Sequence, residues 1–220
     1  MSDVSTPQTN RYPVPARETR VEIRVKNSRF IATLAPAFSV DEARAFITRV
    51  RQEYSDASHN VPAYIVGHGP TVTAHCNDDG EPGGTAGRPV LAVLQGSGLG
   101  DAALVVTRYF GGAKLGTGGL VRAYGDAARA VLEAAPRAER VPTHTVQMTI
   151  PYASYEPLRL LLSAHGGYIL DETFAAEVAV TALFPKERLP AFQDALRELS
   201  NGARQAQIIA SNDDTIMGQD

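Results

Sequence analysis

Two glycine-rich segments near the middle of the chain constrain its fold more than any other feature. Residues 78–89 read DDGEPGGTAGRP, and residues 108–120 read RYFGGAKLGTGGL. Each glycine costs about 0.5–1 kcal/mol of chain entropy relative to alanine, so a dense run needs a reason, such as a positive φ or the close approach of a ligand. We therefore expect these loops to serve function as well as architecture.

Each segment leads into a sequence that is typical of a helix start. Pro89 is tolerated there because the amide it lacks would be unpaired in any case, and Thr117 precedes an amphipathic run over residues 120–132. Two helix N-termini with free N–H groups are thus predicted side by side, which suits an anion. The predicted anion- or nucleic-acid-binding residues are Gly83, Gly84, Thr85, Arg88, Arg108, Lys114, Gly116, Thr117, Gly118, Gly119 and Arg122.

Three carboxylates in the first segment are candidate metal ligands. Asp78, Asp79 and Glu81 supply the hard oxygen atoms that magnesium prefers. A structural role competes with this, because Asp79-Gly80 is turn chemistry and carboxylates are favoured near a helix start. We favour the structural interpretation; a divalent cation stays possible, and no other cofactor is predicted.

The two segments together resemble the signature of the IMPACT family in its bacterial, YigZ-like form. The resemblance is specific in residues 78–87 and 109–124 and extends over about residues 18–212. It implies a first domain with the fold of the second domain of ribosomal protein S5. It also implies a ferredoxin-like second domain similar to the last domain of elongation factor G. The family is linked to the regulation of translation under stress in eukaryotes.

The periodicity of apolar residues predicts an α+β protein with two domains. Residues 146–210 show the order βαββαβ, which suits a small antiparallel sheet with both helices on one face. The predicted organisation is a flexible tail at 1–17, a first domain at 18–137, a second at 143–212 and a flexible tail at 213–220. A break near residues 136–142 separates the two domains.

Composition and charge exclude several classes of protein. With 44% hydrophobic residues but no apolar run near the roughly 18 residues that span a bilayer, we expect no membrane association and a cytoplasmic location. The net charge of −3 divides into +2 for residues 1–140, with 16 Lys+Arg against 14 Asp+Glu, and −5 for the remainder. Nucleic-acid binding would therefore depend on a local basic patch.

Catalytic motifs are weak. Residues 111–118 lack the Lys-Ser or Lys-Thr of a P-loop, and Cys76 and Ser97 lack partners for nucleophilic catalysis. His59, His68, His144 and His165 are predicted to be surface or turn residues. The sequence favours a non-enzymatic, translation-associated regulator that binds RNA or the ribosome through the two loops. The alternatives are an enzyme acting on a phosphorylated small molecule in the same cleft, and a protein-binding stress regulator.

Overall fold

A computed structural model describes residues 11–69 and 72–218. These residues divide into two compact units, one formed mainly by residues 12–139 and the other by residues 140–215. The helices are α1 (Val40–Glu53), α2 (Gly87–Gly96), α3 (Thr117–Ala134), α4 (Tyr155–Ala164) and α5 (Leu189–Leu199). The strands are β1 (Tyr12–Pro15), β2 (Thr19–Val25), β3 (Ser28–Pro36), β4 (His59–Val66), β5 (Thr73–Cys76), β6 (Ala102–Tyr109), β7 (Arg137–Ile150), β8 (Tyr168–Phe174), β9 (Val178–Pro185) and β10 (Gln207–Gly218).

The first unit is built on an antiparallel sheet with the strand order β2-β3-β6-β4-β5. The central strand β6 is buried on both faces, as its continuous apolar run requires. Helices α2 and α3 pack on one face against residues such as Phe30, Leu34 and Leu104. Helix α1 covers the other face through Phe46, Val50 and their neighbours. Both glycine segments therefore lie beside the α2–α3 layer.

Helix α1 begins after Ser39, which stands three residues before Glu42, the spacing of a reciprocal helix cap. The Ser39 hydroxyl accepts a hydrogen bond from the Glu42 amide at 3.1 Å. The Glu42 carboxylate in turn accepts one from the amide of Phe38 at 2.9 Å, one residue before the expected donor. The first bond satisfies a donor that the helix itself leaves unpaired, and the second ties the preceding residue to the first turn.

The second unit has the predicted βαββαβ order, formed by β7, α4, β8, β9, α5 and β10. Strands β8, β9 and β7 are neighbours in that order, and β10 also pairs with β7. Alternate residues of β9, from Val178 to Phe184, are buried against the apolar stripes of α4 and α5. The α+β fold with a ferredoxin-like second domain is confirmed. Among the described residues no helix is both long and apolar enough to cross a membrane.

Three expectations about irregular segments are wrong. Residues 12–15 of the predicted N-terminal tail form β1, with Tyr12 and Val14 buried, while residues 1–10 lie outside the described part. Most of the predicted C-terminal tail belongs to β10, which extends to Gly218. Strand β7 also runs through residues 137–142, where a break was expected. Strands depend on partners far away in sequence, so short polar stretches give little local sign of them.

Candidate functional site

The two glycine segments border one cleft in the first unit. Helices α2 and α3 contact each other, so the loops that precede them are brought together. The cleft has a volume of about 530 Å³, within the range of roughly 300–1,000 Å³ that is usual for small-molecule sites. It is lined by Ser58, His59, Glu81, Pro82, Arg108, Phe110, Lys114, Leu115, Gly116, Thr117 and Leu120.

The N-terminus of α2 is already capped by a carboxylate of the protein. Asp78 accepts hydrogen bonds from the amides of Gly84 at 2.8 Å, Ala86 at 3.1 Å and Gly87 at 2.8 Å. Burial raises the pKa of Asp78, but these bonds and the charge of Arg88 outweigh it, so the pKa is lowered from its ordinary value. The expectation of free amide groups at this helix start is therefore wrong, because the acidic loop supplies its own anion.

The N-terminus of α3 is open by contrast. Its cap residue, Gly116, has no side chain, and no side chain of the described residues takes its place. The first helical bond runs from the Leu120 amide to the Gly116 carbonyl oxygen at 2.9 Å. The amides of Thr117, Gly118 and Gly119 therefore remain without a partner in the part of the chain that the structure describes. Since Gly116 and Thr117 line the cleft, this helix start faces a space that a ligand can enter.

Packing and backbone conformation account for most glycines of the two loops. A Cβ at Gly87 would lie 2.7 Å from the Asn77 carbonyl oxygen, and one at Gly111 would lie 1.9 Å from that of Asn27. Several other glycines have positive φ, where only glycine is unstrained. These are Gly80, Gly84, Gly112 and Gly116.

Neither packing nor backbone conformation explains the glycines at positions 83 and 118. Neither has a positive φ, and a Cβ on either would have no described atom within 4 Å. Gly118 lies in the first turn of α3, beside the open amides. The absence of a side chain at such a position leaves room for a ligand to approach the backbone closely.

A buried ion pair forms the floor of the cleft. Arg108 donates to Glu81 Oε1 at 2.5 Å, and the Tyr124 hydroxyl donates to the same oxygen at 2.8 Å. Burial raises the pKa of Tyr124 far above its ordinary value, and the bond to Glu81 adds to this. The Arg108 guanidinium also lies 5.6 Å from the ring centre of Phe30 and 5.4 Å from that of Phe110. The expectation of a free phosphate-binding cation at Arg108 is therefore wrong, because Glu81 neutralises it.

His59 is a residue of the cleft that the sequence analysis missed. Its Nδ1 lies 2.7 Å from the Asp79 carbonyl oxygen, and its Nε2 lies 3.8 Å from Glu81 Oε1. The residue is the first of β4 and pairs in register with Arg108. Two polar residues open this strand, so the sequence gives no local sign that His59 lies beside the second glycine loop.

Three predicted cations are exposed. Lys114 lines the cleft, whereas Arg88 and Arg122 lie outside its lining. None of the three has an ion-pair partner in the described parts of the chain. Asp126, four residues after Arg122, pairs with Arg129 at 2.5 Å instead. Of the remaining predicted residues, Gly83, Gly84, Thr85, Gly118 and Gly119 do not line the cleft.

The carboxylates of the acidic loop are directed to separate partners. Asp78 caps α2, and Glu81 forms the floor of the cleft. Asp79 bonds to Arg51 at 2.7 Å and to the Asn60 amide at 2.6 Å. In the regions that the structure describes, no three His, Cys, Asp or Glu side chains are grouped as metal ligands would be. Each carboxylate of the loop therefore has a hydrogen-bonding partner within the protein.

The fold and the cleft define a two-domain α+β protein whose first domain carries the candidate site. Residues 26–132 match the model of the Impact N-terminal domain, and residues 148–203 match a domain of unknown function, DUF1949. The chain belongs to the IMPACT family. It is 37% identical to the IMPACT family member YigZ of Escherichia coli over 194 residues, which cover 87% of this chain and 95% of that protein.

Two further similarities support this placement. A crystal structure described as that of a hypothetical protein superposes with a TM-score of 0.59 at 35% identity, covering 91% of this chain and 98% of that one. Protein IMPACT of Bos taurus is 29% identical over 118 residues, which are 52% of this chain and 36% of that protein. The eukaryotic protein is thus matched over little more than one third of its length.

Proposed function

We propose that this protein is a non-enzymatic, translation-associated regulator that binds RNA or the ribosome at the cleft of the first domain. The observation that carries the proposal is the open N-terminus of α3, whose unpaired amides lie beside Lys114. Backbone N–H groups and lysines are the groups that proteins use to hold phosphates. Because α2 is capped by Asp78, the phosphate contact is assigned to α3 alone.

The surroundings of the cleft suit a nucleic acid. Phe110 is 48% exposed and offers an aromatic surface on which a base can stack. Arg88 and Arg122 are exposed cations on the two neighbouring helices. The relationship to Protein IMPACT supports a role in translation, and such a partner would place the protein in the cytoplasm.

Salt dependence of RNA binding tests this function. The affinity for a short single-stranded RNA should fall steeply with salt, and Lys114→Ala should weaken binding and lower the slope by about one counterion. Arg24→Ala is the matched control, because Arg24 lies on β2 with its side chain 76% exposed and does not line the cleft. Fluorescence anisotropy at four or more salt concentrations measures both the affinity and its dependence on salt. An affinity that Lys114→Ala leaves unchanged would count against the cleft as the RNA site.

The enzyme alternative uses the same cleft and predicts a different ligand. A phosphorylated metabolite should then raise the thermal unfolding temperature, and magnesium should change the effect if a metal takes part. A thermal-shift panel of such metabolites, with and without magnesium, measures this. Stabilisation by one metabolite, together with RNA binding that does not depend on salt, would favour the enzyme.

Protein binding is a second candidate function, favoured by apolar side chains that are exposed on the second unit. Leu160 is 73% exposed, and Leu170, Phe174, Ile208 and Ile209 are each more than half exposed. Leu160 on α4 and Ile169 on β8 line one hollow, and exposed apolar residues that lie together often mark an interaction surface. The double variant Leu160→Ser and Ile169→Ser should weaken binding to purified ribosomal subunits if this surface is used. Its affinity for a free RNA oligonucleotide should stay unchanged.

A further inference from the structure

The polar groups at the floor of the cleft have a specific hydrogen-bonding character. His59 Nδ1 faces the Asp79 carbonyl oxygen at 2.7 Å, and a carbonyl oxygen can only accept a hydrogen bond. Nδ1 therefore carries the proton, and in the neutral imidazole Nε2 is left as an acceptor. This nitrogen lies 3.8 Å from Glu81 Oε1, so the acceptor stands beside a carboxylate.

Glu81 keeps one acceptor available. Arg108 and Tyr124 both donate to its Oε1, whereas its Oε2 has no hydrogen-bond partner among the residues described. The side chain is only 4% exposed, yet it lines the cleft. Arg108 compensates its charge, so a nearby phosphate is not repelled by a bare carboxylate. The Oε2 oxygen is not one of the fully buried, unpaired side-chain atoms of the described residues, so a donor that enters the cleft can reach it.

A ligand of this floor must therefore present two neighbouring donors. Among the RNA bases only guanine does so on its Watson–Crick edge, through N1–H and the N2 amino group. Adenine and cytosine place an acceptor beside a single amino group, and uracil places two carbonyl oxygens beside one N–H. Ser58 supplies a donor in the same cleft, because its oxygen accepts from the Phe110 amide at 3.0 Å and its hydroxyl hydrogen remains for the guanine O6.

We propose that the cleft selects a single unstacked guanine nucleotide of an RNA, an inference that rests on the proposed RNA-binding function. The guanine edge faces His59 and Glu81, and its ring lies against Phe110. The 5′-phosphate lies at the open amides of α3 beside Lys114. Single-stranded RNA is read in this way elsewhere, with the base on an aromatic ring and its edge bonded to side chains.

Binding of RNA oligonucleotides that differ at one position tests the proposal. The probes are labelled ten-residue oligouridylates with a single central G, inosine, A, C or U, measured by fluorescence anisotropy. The G probe should bind about 5- to 150-fold more tightly than the U probe, as one bidentate base contact provides. The inosine probe should fall between them, because it lacks only the N2 amino group.

Two variants separate this inference from the proposed function. His59→Ala should abolish the preference for G while the salt dependence remains, and Lys114→Ala should weaken all five probes by the same factor. His75→Ala is the control, since His75 is exposed on β5 and does not line this cleft. Thermal unfolding checks that each variant is folded. The ranking of the probes by the unaltered protein tests the proposal without any variant.

The outcomes that overturn each proposal differ. Equal affinity for all five probes, with a steep salt dependence, overturns the guanine selectivity and leaves RNA binding in place. If none of the probes binds, both the guanine selectivity and the RNA-binding function are overturned. Guanosine 5′-monophosphate should displace the G probe only weakly, because it lacks the flanking phosphates. Binding of this nucleotide as tight as that of the probe overturns RNA as the source of the guanine.

Discussion

Helices α2 and α3 start from similar glycine loops and lie in the same layer, yet their N-termini differ. The start of α2 is closed by Asp78, which accepts three backbone hydrogen bonds from its own loop. The start of α3 has a glycine cap, and no described side chain occupies it. A glycine-rich loop before a helix therefore does not by itself indicate an anion site. A helix start is open to an anion only if no carboxylate of the chain already accepts hydrogen bonds from its amides.

The largest expected effect concerns the ion pair that joins the two loops. Arg108→Ala should cost about 3–5 kcal/mol of unfolding free energy, because it leaves Glu81 charged and buried without its partner. Urea denaturation measures this. Adding Glu81→Gln should recover part of the loss, since a neutral amide is less costly to bury. A cost below about 1 kcal/mol, as for an exposed pair, would show that the loops do not depend on this contact.

Removing the cap of α2 should have a smaller effect. Asp78→Asn retains one acceptor oxygen in place of two and should cost about 1–2 kcal/mol at neutral pH. The lowered pKa of Asp78 adds a pH dependence, because the stability it contributes is present above the unfolded pKa of about 3.9 and is lost as pH falls through the folded value. The difference between the two proteins should therefore be constant from pH 7 to 5 and narrow below about pH 4. A difference that persists unchanged at pH 2 would contradict the role of the charged cap.

Two glycine-to-alanine changes compare the open helix start with a neutral position. Gly118→Ala and Gly96→Ala both lie in helices with no described atom near the added Cβ, so each should stabilise the protein by up to about 1 kcal/mol. Only Gly118→Ala should weaken RNA binding, because its methyl group stands beside the open amides of α3. Thermal unfolding and anisotropy on the same samples measure both effects. Normal RNA affinity in Gly118→Ala would mean that no ligand approaches this turn.

The smallest effects on stability are expected on the surface of α3. Arg122→Ala and Arg129→Ala should each change the unfolding free energy by less than about 0.5 kcal/mol, since neither side chain is buried. Arg122 lies in the first turns near the open start, whereas Arg129 lies further along and pairs with Asp126. Only Arg122→Ala should reduce the salt slope of RNA binding, by about one. Equal slopes for the two variants would remove Arg122 from the site.

Local patterns predicted much of the fold. The sequence shows the alternating residues of β2 and β9, the Ser39–Glu42 spacing at the start of α1 and the apolar stripe on the buried face of α3. These features depend on neighbours within about one turn of the chain, which the sequence displays directly. Strand β1 and the end of β10 were missed because their pairing depends on distant residues.

The sequence indicates which loops lie close together but not which contacts they make. The sequence indicates two adjacent loops with nearby cations, and the structure brings parts of both to one cleft. Three carboxylates in four residues give no sign of which one caps α2, which braces Arg51 and which pairs with Arg108. Each choice depends on what the fold places opposite, and for that reason Arg108 appeared to be free and His59 was overlooked.

The crowding at Gly111 fixes the start of the second glycine loop. The Asn27 carbonyl oxygen leaves no room for a side chain there, so the β2–β3 turn clamps the start of the loop. Gly112 and Gly116, with φ of 82° and 75°, have no described atom within 4 Å of an added Cβ. Between these glycines, Leu115 packs against the core of the first unit, and Lys26 donates to the Lys114 carbonyl oxygen at 3.3 Å. The backbone that presents the Lys114 cation is therefore set in place before any partner arrives.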